Sequence, residues 1–409
     1  MTFSKFLSIA FRDLVRNGRR TALTALAVAL GLTVVMSFSG LLEGMLQSML
    51  ADNIRLSTGH LQIREESYDA DKGSLLAKDL LSNADHLTEQ VEALPEVATA
   101  APVLWLSGFV ATPQESFGIQ VVGIRPEDAF HAPIRDGIVA GDYLTSEDRD
   151  RILMGSGLAK QMEVNVGDRV GVAISDANGI GQDGVFTVAG LVDTGYPSID
   201  QHRILMPLRE AQSFSGVGDR FSSLIVMLKD EKDTAAVAAR FQGGDTQVVT
   251  WEDLNRIILE SVTSGMFFYY ILYGIVFLAV AVLIANTLLM SVFARAREIG
   301  IFAALGMTGG QIMELFMLEG FLLALLGIAV GWVLGLGAVY YLKTVGFAIP
   351  AETSSMVEGM AFGTVMRGDF APEQFVILSI LMLIFVTLVS LYPAWFAAKM
   401  EPVEALHTQ

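Results

Sequence analysis

Residues 21–42 read TALTALAVALGLTVVMSFSGLL, 22 positions without one Asp, Glu, Lys or Arg. A helix rises 1.5 Å per residue, so about 20 apolar residues cross a hydrocarbon core. Working outward, three further uncharged runs meet that length, at 261–294, 320–342 and 374–398. The second exceeds what a bilayer needs and is expected to tilt or to stand partly outside it. One such run could be a buried core helix; four predict a four-span membrane protein. Composition agrees: 52% of the 409 residues are hydrophobic, 17% are charged and mean hydropathy is +0.50, against about 25% charged residues in soluble domains.

Charge orients the spans. Residues 43–260 hold 17 basic and 34 acidic side chains, the whole net charge of -17. The ten remaining basic residues sit mostly in short segments: Lys5, Arg12, Arg16, Arg19 and Arg20 before the first span, Arg295 and Arg297 after the second, Lys399 after the fourth. Only Lys343 and Arg367 fall between spans three and four. The positive-inside rule then predicts cytoplasmic segments at 1–20, 295–319 and 399–409, an external loop at 343–373 and a translocated domain at 43–260. Both termini are expected in the cytoplasm. The first run is longer than the 7–15 residues of a signal h-region and reads as an uncleaved anchor.

Leu42, Met45, Leu46, Met49 and Leu50 continue the first span as an apolar stripe, and Leu254, Ile258, Val262 and Met266 precede the second at every fourth position. Both predict amphipathic stalks, with either packing or a substrate-lining role open to them. Between the stalks, strands are expected at 59–64, 97–111, 118–124, 170–174, 185–192, 203–206, 222–228 and 247–250, with helices at 84–94 and 234–241. An α/β lobe at 57–136 and 220–251, split by a strand-rich insertion at 137–219, fits this order.

Catalytic motifs fail. There is no Cys and no Gly-Lys pair, so thiol chemistry, cysteine-ligated metals and a phosphate-cradling Walker A loop are excluded. Gly179, Gly181 and Gly184 satisfy GxGxxG but precede a strand-like run, which predicts a hairpin tip rather than a dinucleotide site. Thr308-Gly309-Gly310-Gln311 is an isolated fragment of the LSGGQ type. His60, His86, His131, His202 and His407 show no metal-ligand spacing. The acidic balance disfavours nucleic acid. A non-enzymatic chain is expected, with no cofactor or metal of its own. Residues 295–308, RAREIGIFAALGMT, describe a short helix outside the bilayer between two spans, suited to insert an apolar face into a cytosolic partner or to lie on the lipid surface.

At this segment the sequence resembles the four-span permeases of MacB-type ABC transporters, the mechanotransmission family that includes LolC, LolE and FtsX. Arg297-Glu298-Ile299-Gly300, Ala304-Leu305-Gly306, Glu319-Gly320, Tyr392-Pro393-Ala394-Trp395, Ala397-Ala398-Lys399 and Pro402-Val403-Glu404-Ala405-Leu406 carry the resemblance. Arg12-Asp13-Leu14, Arg19-Arg20-Thr21 and Gly59-His60-Leu61-Gln62-Ile63 look most like the lipoprotein-release branch. Leu153 to Ala159 and Val166 to Val170 resemble the inserted Sabre subdomain of a Porter lobe, which implies a Porter-like lobe at 57–136 and 220–251 and a Sabre-like insertion at 137–219.

The resemblance implies a bacterial inner-membrane permease that pairs with a second permease chain and with a separate ABC ATPase, to which ATP and Mg bind. Glu298, Gly300, Ala304, Leu305, Gly306 and Met307 would form the coupling helix. A lipid, lipoprotein or other amphiphile would be extracted from the outer leaflet past Leu42, Met45, Met49, Val262, Met266 and Tyr270. The short 176–184 hairpin departs from the longer LolC loop and leaves recruitment of a periplasmic carrier or adaptor open. Drug or peptide efflux and FtsX-like activation of an extracellular hydrolase are the competing functions.

Overall fold

The computed structural model describes residues 3–69, 79–177, 179–242, 246–348 and 365–400, without the side chains of residues 3–5, 198, 257, 258, 261 and 262. The chain divides into two compact units, one at 1–46, 261–348 and 365–409 and the other built mainly from 47–260.

Among its described residues the first unit contains four helices long and apolar enough to cross a membrane. The first runs through Gly18–Asn53, the second Arg256–Ala294, the third Gly309–Thr344 and the fourth Pro372–Ala398. Each outruns its uncharged stretch because a helix needs only backbone hydrogen bonds to continue past the apolar run. An N-terminal helix, Phe3–Arg16, and a short helix, Ala296–Ala304, accompany them.

Small residues let these helices approach. A Cβ on Gly327 would sit 2.5 Å from Val28 Cβ, one on Gly331 3.1 Å from Leu32 Cβ, and one on Gly335 2.8 Å from Met36 Sδ. Three glycines four residues apart on the third helix thus receive three side chains four residues apart on the first. This is the small-residue packing that replaces hydrophobic exclusion in lipid. Trp332 Nε1 donates to Ser379 Oγ at 2.8 Å, tying the third helix to the fourth. Thr308 and Gln311 form a reciprocal capping box that starts the third helix, which explains the Thr308–Gln311 fragment without an ATPase.

Among its described residues the outer unit holds ten paired strands: β1 Leu61–Glu65, β2 Val97–Ala111, β3 Ser116–Ile124, β4 Ile138–Gly141, β5 Arg151–Gly155, β6 Arg169–Ser175, β7 Gly181–Val192, β8 Arg203–Pro207, β9 Ser223–Leu228 and β10 Thr246–Thr250. The order β10-β1-β9-β2, all antiparallel, with helices Ala84–Glu92 and Thr234–Phe241 following β1 and β9, is a ferredoxin-like βαββαβ arrangement. Its core holds Leu61, Ile63, Val91, Leu224, Val226 and Val237.

Everything between β2 and β9 is inserted, and the pairings β2-β3-β8-β5-β7-β6-β2 close a six-stranded barrel, with β4 added against β7. Alternate residues fill it: Leu104 and Leu106, Ile119 and Val121, Ile152 and Met154, Val170 and Val172, Phe186 and Val188, Ile204 and Met206. The barrel includes β3 and the second half of β2, which precede residue 137. At 15 residues, β2 is long enough to pair with β9 through Val103 and with β3 from Leu104 onward. Gly181 and Gly184 lie within β7, hairpin-paired to β6 through Gly181↔Ser175 and Gly184↔Val172; no helix follows them, so the GxGxxG letters build a hairpin.

Candidate functional site

The loop between the second and third membrane helices is built around Arg295. Its side chain is 6% exposed and binds three carboxylates: Nη1 donates to Glu319 at 2.6 Å, Nη2 to Asp13 at 2.6 Å and Nε to Glu298 at 3.0 Å. Arg16 Nη2 also reaches both oxygens of Glu298, at 2.8 and 2.9 Å. Burial works against the Glu298 charge, and hydrogen bonds from Arg16 and Arg295 outweigh it, holding this carboxyl below the usual glutamate range. Ile299 turns inward against Val292, Ile312, Phe316, Ala394 and Ala397.

The helix that starts after Arg295 ends in a Schellman motif. Gly306 N donates to Ala303 O and Met307 N to Phe302 O, with Gly306 at φ +92°, where a side chain would be strained. Leu305, the last residue before that glycine, is thrown outward and is 80% exposed, and Ile301 one turn earlier is 45% exposed. The six residues expected to couple therefore split. Ala304, Leu305 and Gly306 form an open tip, Gly300 is buried, Met307 packs beneath the helix, and Glu298 is held by two arginines.

The expected substrate-lining residues do not form one described site. Leu42 and Met45 are half-buried in the membrane unit, Met49 is buried in the outer unit, and the side chain of Val262 lies outside the described residues. Met266 and Tyr270 are exposed on the second helix at 39% and 64%. Phe267, Phe268, Ile271 and Ile275 beside them are exposed too; the uninterrupted Phe267-Phe268-Tyr269-Tyr270 run was the signal that would have found them.

Family models match the chain in two places: the MacB-like periplasmic core domain over residues 21–243 and the FtsX-like permease C-terminal domain over residues 270–402. The chain belongs to this MacB- and FtsX-like family of ABC-transporter permeases. It is 24% identical over 416 residues to the lipoprotein-releasing system transmembrane protein LolC of Neisseria meningitidis serogroup B, covering 96% of this chain and 95% of that one. It is 24% identical over 340 residues to LolE of Haemophilus influenzae, covering 78% and 80%. It is also 24% identical over 409 residues to the macrolide export ATP-binding/permease protein MacB 2 of Yersinia pestis bv. Antiqua, covering 95% of this chain but 56% of that protein.

As a member of this family the permease is a multi-pass protein of the bacterial inner membrane, its large extracytoplasmic domain set between the first and second membrane helices. Permease components of such transporters are not themselves catalytic, and family membership implies an ABC ATPase partner and a paired permease. Among the described residues of the permease, no group of three His, Asp or Glu could hold a metal ion. The outer domain does contain one buried histidine: His131 is 2% exposed, neither ring nitrogen has a hydrogen-bond partner among the described residues, and burial lowers its pKa to about 3.

Proposed function

We propose that this permease serves a lipoprotein-releasing ABC transporter: with a second permease chain and a separate ATPase that binds ATP and Mg, it extracts a lipoprotein or similar amphiphile from the outer leaflet. The end-to-end match to a lipoprotein-releasing transmembrane protein, 96% of one chain against 95% of the other, carries this reading. The match to MacB takes in 56% of that protein, and its equal identity keeps drug or peptide export as the second reading. Both termini lie in the cytoplasm. Leu305, with Ala304 and Gly306, docks on the ATPase, and Glu298, Gly300 and Met307 support that tip from behind. Substrate passes the exposed Met266 and Tyr270 face of the second helix, with Leu42, Met45, Met49 and Val262 along its route. Whether a periplasmic carrier or adaptor receives it is decided by what co-purifies.

Leu305→Asp tests the coupling tip. Burying one Leu is worth about 1.5 to 3 kcal/mol, and an unpaired carboxylate in its place adds a desolvation penalty. ATPase capture is expected to fall more than about tenfold, while expression stays normal because Leu305 is 80% exposed. Wild-type capture and wild-type stimulated hydrolysis by the variant would refute the docking role. Native mass spectrometry of the complex then separates a retained lipoprotein from a retained drug or peptide.

A further inference from the structure

We propose that Arg16, Asp13, Arg295 and Glu319 are positioning residues of a charged clamp that joins the N-terminal helix, the coupling helix and the third membrane helix into one body, making the N-terminal helix part of the coupling apparatus. The inference rests on the coupling role of Leu305 and its neighbours. Arg295 presents its three donors to three elements: Nη1 to Glu319 on the third helix, Nη2 to Asp13 on the N-terminal helix and Nε to Glu298 on the coupling helix. The Glu319 side chain is 4% exposed and the Asp13 side chain 12%.

A buried ion pair contributes little stability over an apolar pair of the same volume, because both charges lose their hydration. What it supplies is direction. A guanidinium holds its N–H groups in a rigid plane, so three carboxylates satisfied at once set the angles of the three helices that bear them. Phe316 adds a face to the cation 5.5 Å away, fixing the plane of the fork.

A second tie runs outside the first. Arg16 bonds Glu298 with both carboxylate oxygens, and Arg20 Nη2 donates to Ser291 Oγ at 2.6 Å, linking the base of the first membrane helix to the end of the second. Beneath these bonds Phe6 and Ala10 of the N-terminal helix pack on Leu315 beside Phe302 of the coupling helix. A push on Leu305 therefore reaches Glu298 two turns away on the same helix, and from there passes through Arg16 to the N-terminal helix and through Arg295 to the third span.

The test uses the full-length chain, which has no Cys of its own. Arg12→Cys and Arg297→Cys, both at exposed positions, are spin-labelled, and the permease is reconstituted in liposomes with its ATPase. Interlabel distances are read without nucleotide and with ADP and vanadate. The clamp predicts one narrow distribution, the same in both states. Arg16→Ala with Asp13→Asn should add a longer-distance population while ATPase capture persists, and Arg16→Lys should keep the narrow one. Should the double variant fail to insert, Arg16→Ala alone, at a side chain 54% exposed, carries the comparison. A wild-type distribution that shifts with nucleotide, or variants indistinguishable from wild type, overturns the clamp. Failure of the coupling reading looks different: Leu305→Asp captures the ATPase as well as wild type, while the nucleotide-free distances still report on the clamp.

Discussion

His131 sits where its ring is shut from water, edge-on to Phe130 with centroids 5.3 Å apart. Burial lowers its pKa to about 3, from about 6.5 in the unfolded chain. The folded domain then binds fewer protons than the unfolded chain throughout that interval, so this histidine's contribution is complete above pH 6.5 and is lost as pH falls toward 3, at most about 2 kcal/mol between pH 6.5 and 5. Asp128, three residues earlier, has the opposite sign. Burial raises its carboxyl to about 7, so its stabilising effect is complete below the unfolded value near 4 and is lost as pH rises through 7. His131→Phe should make the outer domain more resistant to acid. Asp128→Asn should stabilise it by about 1 kcal/mol at pH 8, after allowance for the solvent that reaches this half-buried group, and much less at pH 4. Hydrogen exchange of strand β2 in the full chain, at pH 5 and pH 8, reads both effects; equal protection of wild type and His131→Phe at pH 5 would remove the histidine from the account.

Among elements, the third membrane helix shows how a neighbour constrains one position and spares another. Gly331 and Gly337 lie on one helix, and replacing either by Leu gains the same helix propensity, just under about 1 kcal/mol. Their surroundings differ. A Cβ on Gly331 would meet Leu32 Cβ at 3.1 Å and the Ala29 Cα at 3.2 Å, whereas nothing lies within 4 Å of one on Gly337. Gly331→Leu should therefore force the first and third helices apart at a cost of about 1 to 3 kcal/mol or more, and Gly337→Leu should not. Thermal denaturation of the two variants in detergent compares them directly, and equal midpoints would show that the glycine row does not set the helix separation. Such a row is visible in the sequence as GIAVGWVLG at 327–335. Its partners are not, because a four-residue repeat states which face is small and leaves open which helix occupies it.

At the scale of the whole molecule, charge sets an expected sidedness. Basic residues crowd the short segments next to the spans, and residues 43–260 carry the chain's whole net charge; the membrane's cost for moving Lys and Arg across it makes one topology favoured. Asp142→Cys, at an exposed position of the outer unit, should react with an impermeant thiol reagent in spheroplasts, and Arg297→Cys should react only after lysis. The reverse pattern would invert the protein.

Chain order alone was sufficient for the four spans and the strands of the ferredoxin-like lobe, because a hydrophobic run or a two-residue alternation depends on neighbours in sequence. The short helix after Arg295 was legible for the same reason: its apolar run and the Gly306 turn mark its extent in local sequence. Barrel closure was not, since it depends on β2 being shared between two sheets and on pairings such as β6 with β2, from residues 60 to 66 positions apart. Nor was the clamp. Asp13, Arg295 and Glu319 are separated by 282 and 24 positions, and each alone reads as an ordinary charge beside a membrane span. Only packing three helices around one guanidinium makes them a single group, because a charge taken out of water must find its partners in space.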